Sequence, residues 1–228
     1  QSIRGVTRAV GGSLELALRA VPSALGEMES TPARERMMAV LNGVLGDYLA
    51  ATENPLAITM RMRREGKPLA LSREGLAAAL PNAGAKLLVL VHGLCMNDLQ
   101  WTRDGHDHGA ALAKDLGYTP VYLHYNTGLH ISSNGRAFAD MLEALVASWP
   151  VPLGELVILA HSMGGLVTRS ALDVATGAGH AWPQVLRKIV FLGTPHRPGI
   201  LGWIFSTDHK RIGLMYLWCI VTFFCVGV

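Results

Sequence analysis

The 228-residue chain has little net charge, few cysteines and no repeats. A formal net charge of +3 gives no electrostatic footprint for nucleic acid. Three cysteines, Cys95, Cys219 and Cys225, are an odd number without framework spacing. That excludes a disulfide scaffold and favours a reducing compartment. Nine histidines are scattered without a metal-ligand pattern, so no metal and no cofactor is expected. Residues Gln1 to Ala20 carry Arg4, Arg8, Glu15 and Arg19, which interrupt any apolar core of a secretory signal. The first residue is not Met, as in a trimmed chain. Half of the residues are hydrophobic, enough for one substantial core rather than disorder.

What is present is hydrophobic periodicity. Leu14, Leu16, Leu18 and Val21 suggest a helix over 13–21. Met37, Val40, Leu41, Val44, Leu45 and Leu49 predict another over 32–51, started by Thr31-Pro32 with Glu35 nearby. Both are read as helices packed on the outside of a domain. Leu56 to Arg63 alternates, and the turn residues 64–68 precede Leu69, which suggests a hairpin. A short helix is expected over Arg73–Leu80, stopped by Pro81. Lys86–Val91 reads as a strand buried on both faces. Then follow a helix at Gly109–Leu116, a strand at Pro120–Tyr125 and a helix at Gly135–Trp149. Leu156–Ala160 and Leu186–Leu192 complete the strands. Strands alternating with helices are the sequence form of a parallel α/β sheet.

One stretch organises the chain. The apolar run Leu156–Ala160 leads into His161-Ser162-Met163-Gly164, and Leu166, Val167, Ser170 and Ala171 then fall on one helical face. Strand, sharp turn around a serine and helix form the setting of a nucleophile elbow. Two further motifs flank it in sequence: His92-Gly93 after one strand and Gly193-Thr194-Pro195-His196 after another.

With these three motifs in order, residues 55–198 resemble the α/β-hydrolase superfamily, and more narrowly its lipase and esterase-like members. The resemblance implies an α/β fold with a mostly parallel sheet, and carboxylic ester hydrolysis with Ser162 as nucleophile. It implies backbone oxyanion donors at Leu94 and Met163, each worth on the order of 2.7–4 kcal/mol of transition-state stabilisation. His92, Gly93, His161, Gly164, Thr194 and His196 are expected to shape the site, and the substrate is a small-molecule ester or lipid. His161 is expected to be a neighbour of the nucleophile, not its base. Asp104, His106, Asp107 and His108 are read as a solvated loop near the site's mouth, not as a metal site.

In this fold the triad acid and histidine follow later strands, and the sequence supplies neither in those places. Asp173 lies well into the helix after the serine and His180 beyond its end, so neither is expected to substitute. The expectation is a truncated hydrolase core with an impaired triad; a hydrolase-like module without turnover is the alternative. Such a cut would leave Leu186–Leu192 as an apolar sheet edge. The final residues carry a different resemblance. Trp203-Ile-Phe-Ser-Thr-Asp-His209-Lys-Arg is similar to the N-terminal segment of cytochrome c oxidase subunit I, over residues 202–228. No metal ligand of that family lies in this stretch, so His209 takes no such role. Ile212–Val228 is uncharged and mostly apolar, near the short limit of a membrane span. With Lys210 and Arg211 before it, the hydrolase part would lie on the cytoplasmic side. The domain reading is therefore an N-terminal helical extension at 1–54, a hydrolase core at 55–198 and a membrane-compatible tail at 199–228, joined as a chimera. The expected location is cytoplasmic, with membrane contact through 212–228.

Overall fold

The computed structural model describes residues 31–194 of the chain. The expectations for 13–21, His196 and the tail at 199–228 lie outside the described residues. Among the described residues, no helix is long and apolar enough to cross a membrane.

The chain opens with α1 (Pro32–Ala51), then the hairpin β1 (Arg61–Arg64) and β2 (Lys67–Pro68), and α2 (Arg73–Ala79). The α/β alternation follows: β3 (Lys86–Val91), a 3₁₀ turn at Asp98–Trp101, the small ribbon β4 (Thr102–Arg103) and β5 (His106–Asp107), then α3 (His108–Leu116) and β6 (Thr119–His124). It ends with α4 (Ile131–Ala147), β7 (Glu155–His161), α5 (Met163–Ala178), α6 (Trp182–Val185) and β8 (Leu186–Leu192). The six-stranded sheet runs in the order β2-β1-β6-β3-β7-β8, with β6, β3, β7 and β8 parallel and the hairpin antiparallel at one side. This is a mixed, mostly parallel α/β sheet, as the alternation of elements predicts.

The apolar strands sort their side chains by the two-residue period. Leu87, Val89 and Val91 point to one face, with Val121, Leu123, Leu156, Ile158 and Ala160, and are covered by Phe138, Leu142, Leu145, Val167 and Ala171 of α4 and α5. Leu88, Leu90, Tyr122, Val157 and Leu159 point to the other, against Trp101 and Leu112. After β3 the chain moves outward to β6, then returns past β3 to β7. Loops leaving β3 and β7 therefore face each other at the carboxyl ends of the strands, where open α/β sheets place their sites.

Three sequence readings need correction. The hairpin strand starts at Arg61, not Leu56, because Asn42 of α1 captures the preceding segment. Its Nδ2 donates to Leu56 O at 2.8 Å and its Oδ1 accepts from Ile58 N at 2.8 Å. The hairpin turns at Glu65-Gly66, both at positive φ, so the second strand is Lys67–Pro68. The α1 boundaries match, with Thr31 Oγ1 accepting from Arg34 N. Its packing face is shifted from the aliphatic stripe: Leu49 is buried and Leu41 and Leu45 partly so, as the spacing predicts, but the rest differs. Ala39, Asn42, Gly43, Gly46 and Leu49 are buried, while Met37, Val40 and Val44 are exposed. Small residues let α1 approach the loops beneath it closely, which turns the face toward Gly43 and Gly46 and leaves Met37, Val40 and Val44 outside.

The difference between the packed and exposed parts of the stripe is measurable by urea denaturation. Leu49→Ala, which truncates a fully buried side chain, is expected to cost about 2–5 kcal/mol. Val44→Ser, at 68% exposure, should change stability by no more than about 0.5 kcal/mol.

Candidate active site

Strand register builds the site. Val91 pairs with Ala160, so His92-Gly93 and His161-Ser162 leave adjacent strands at the same level. His161 pairs with Leu192, and Ser162 N donates to Leu192 O at 2.7 Å, which sets Gly193-Thr194 on the other side. The described parts of the three motifs, spread along the sequence, meet at the carboxyl ends of the strands. His196 lies outside the described residues.

Ser162 occupies the N-cap of α5 with φ 51° and ψ −120°. A non-glycine residue there is strained, and the surroundings must hold it. Its carbonyl accepts from Gly165 N at 3.1 Å. Two glycines make the turn fit. A methyl group on Gly164 would lie 2.6 Å from the carbonyl oxygen of His92 and 2.7 Å from that of Val91. One on Gly165 would collide with the buried Thr194 side chain. The His92-Gly93 loop also comes close: a methyl on Gly93 would lie 3.1 Å from Ser162 Cβ and 3.0 Å from His161 Nδ1. Ser162 and Met163 are partly exposed, as is Leu94. Met163 opens α5, so its N–H has no acceptor one turn back.

His92 is fully buried, its Nδ1 3.0 Å from Gly93 O and its ring stacked on Tyr125 at 4.5 Å. Tyr125 Oη donates to His92 O at 2.8 Å. Burial outweighs the backbone contact to Gly93 and pushes the His92 pKa down to about 4. The ring is neutral at neutral pH. His161 is half-buried, edge-on to Trp101 at 6.5 Å, and burial lowers its pKa. It sits against Gly93.

The histidine-rich loop is the exposed ribbon β4–β5. His106 and His108 meet edge to face at 5.0 Å, but Asp107 is engaged elsewhere. Its carboxylate accepts from Ala110 N at 2.6 Å, Thr102 Oγ1 at 2.7 Å and Tyr122 Oη at 2.6 Å. Among the described residues no cluster of three metal-ligating side chains forms. Asp173 is exposed on α5, and His180 Nε2 lies 3.6 Å from Asp140.

The sequence reading missed a buried charge network below the loop. Arg63 Nη1 bridges Glu35 Oε2 at 3.1 Å and Asp98 Oδ1 at 3.2 Å, and His124 Nδ1 approaches the same Asp98 oxygen at 2.9 Å. Burial raises the Asp98 pKa, but His124 and Arg63 together outweigh it and hold the carboxyl below its usual range. These residues come from four separate elements, so no local spacing signals them.

The lowered His92 pKa has a thermodynamic consequence. As pH falls from about 6.5 to about 4, the unfolded chain takes up a proton at this position that the folded chain refuses. Stability present above that window should therefore decline through it, by up to about 3 kcal/mol from His92. Urea midpoints followed against pH should show the loss, and His92→Phe should flatten it. The Asp98 contribution lies at lower pH, below the ordinary carboxylate range.

Comparisons with known proteins give a family match and two structural likenesses. No curated protein matches the sequence. Two solved structures of the Bacillus licheniformis lipase BlEst2 are similar. The propeptide form aligns at 24% identity and TM-score 0.42, covering 54% of this chain and 26% of that one. The mature form aligns at 20% identity and TM-score 0.43, covering 66% and 52%. The chain thus spans about half, or less, of the solved structures it matches. Residues 86–203, just over half of the chain, match the family described as the PGAP1-like alpha/beta domain. With its mostly parallel sheet and elbow geometry, the chain belongs to that family.

Proposed function

We propose that this chain carries the nucleophile half of a serine hydrolase of esterase or lipase type, acting on carboxylic esters of small molecules or lipids. The observation that carries the reading is the strained Ser162 at the β7–α5 junction, φ 51° and ψ −120°, packed against Gly93. That backbone lifts the serine out of both the strand and the helix. Ser162 Oγ would attack the ester carbonyl carbon and pass its proton to a base. The N–H groups of Met163 and Leu94 would receive the charge on the carbonyl oxygen. The alcohol then leaves with a proton, and water releases the acid from the acyl-serine.

The base and its orienting carboxylate are the open part of this reading. Asp173 lies eleven residues along α5, about 16 Å from Ser162 at the helical rise. His180 follows the end of α5 and pairs with Asp140. Neither supports a substitute role. That placement favours a second reading, an acyl-binding module without turnover.

Hydrolysis of short-chain p-nitrophenyl esters separates the two. The hydrolase reading expects release of nitrophenol above the buffer rate, falling by about 10³-fold or more with Ser162→Ala. Absence of hydrolysis by the parent chain, or equal rates in both proteins, would leave only the binding module.

A further inference from the structure

The family match begins at residue 86, so it leaves α1 and the hairpin without an assigned role. Yet α1 lies directly on the loop that carries Leu94. At Gly43 any side chain would meet Cys95 Sγ, and the Cys95 backbone is also within 3.0 Å of that position. Cys95 adopts φ 57°, a left-handed conformation costly for a residue with a Cβ. It is kept there by Thr127, whose Oγ1 accepts from Cys95 N at 3.1 Å. One turn along α1, Asn126 Nδ2 donates to Gly46 O at 2.8 Å, so the same helix also grips the segment bearing Thr127.

The charge network closes the other end of the loop. Glu35 on α1 reaches Arg63 on β1, and Arg63 reaches Asp98, where the loop enters its 3₁₀ turn. The Asp98 side chain is 2% exposed and those of Arg63 and Glu35 are each 14% exposed. Buried charges of this kind restrict the groups that hold them, because moving one leaves its partner buried and unpaired. The loop from His92 to Asp98 is thus held at Cys95 by packing and at Asp98 by charge, and α1 contributes to both.

We infer that α1 and Arg63 are positioning elements of the oxyanion loop: Gly43 and the Glu35–Arg63–Asp98 bridge fix the direction of the Leu94 N–H toward the carbonyl oxygen of an ester at Ser162. This rests on the reading of Ser162 as nucleophile, and it gives α1 a role in the reaction beyond packing. Neither Gly43 nor Arg63 touches substrate.

The test uses the full chain, Arg63→Met, Gly43→Ala and the core variant Leu145→Ala. Two quantities are read: hydrogen exchange of backbone amides 93–99, and fluorophosphonate labelling resolved into kinact and KI. In Arg63→Met and Gly43→Ala, exchange at 93–99 should accelerate about tenfold or more while β3 and β7 stay protected. In both, kinact should fall about tenfold with KI within about twofold. Leu145→Ala should lower the thermal midpoint and change neither quantity. Unchanged exchange at 93–99 in both variants, unchanged kinact in both, or equal slowing by Leu145→Ala would overturn the inference. If the parent chain takes no label, the nucleophile reading falls, while exchange at 93–99 still decides whether α1 holds the loop.

Discussion

Everything at this site depends on the contact between two backbone turns that leave neighbouring parallel strands in register. Because Val91 pairs with Ala160, the His92-Gly93 turn and the His161-Ser162 turn are forced to the same height. They fit there only because Gly93 and Gly164 present no side chains to the opposing turn. The strain at Ser162 is offset by this packing and by its hydrogen bonds to Leu192 O and from Gly165 N. Remove the close approach and the serine has no reason to keep a positive φ.

Around that contact the molecule layers its support. Tyr125, just past β6, stacks on the neutral, buried His92 of the first turn and donates to its carbonyl, and Thr127 fixes the loop that follows. Glu35, Arg63, Asp98 and His124 form a polar floor beneath it. A buried network of this kind is a weak source of net stability, since desolvation costs offset the attraction. Its effect is on geometry: it restricts where the loop can go. The elements that supply it lie partly outside the family-matched region, so the site draws on more of the chain than the three motifs.

How much of this was legible depended on whether the signal was local. The strand Lys86–Val91 was read to the residue, since a continuous apolar run records burial on both faces directly; Leu186–Leu192 was also read to the residue, although Arg187 and Lys188 interrupt its apolar run and none of its residues is fully buried. The elbow was legible too, because a strand, a small-residue turn and a helix are adjacent in sequence. The face of α1 was not. Met37, Val40 and Val44 have the right spacing for a buried stripe, yet tertiary packing selected Ala39, Gly43 and Gly46, whose small size leaves no hydrophobic signature. The ribbon at 102–107 is too short for any periodicity. The charge network joins residues far apart in sequence, and no spacing rule reaches across them. The oxidase-like resemblance at 202–228 receives no support from the comparisons and lies outside the described residues.

The central claim is chemical: the serine held in the strained turn is the atom that becomes acylated. Peptide-resolved mass spectrometry of the chain after treatment with a fluorophosphonate tests it most directly. The account predicts one covalent phosphonyl adduct, on Ser162, formed in the folded protein and lost when the protein is denatured before treatment. An adduct on another residue, or none on Ser162 in the folded chain, would contradict it.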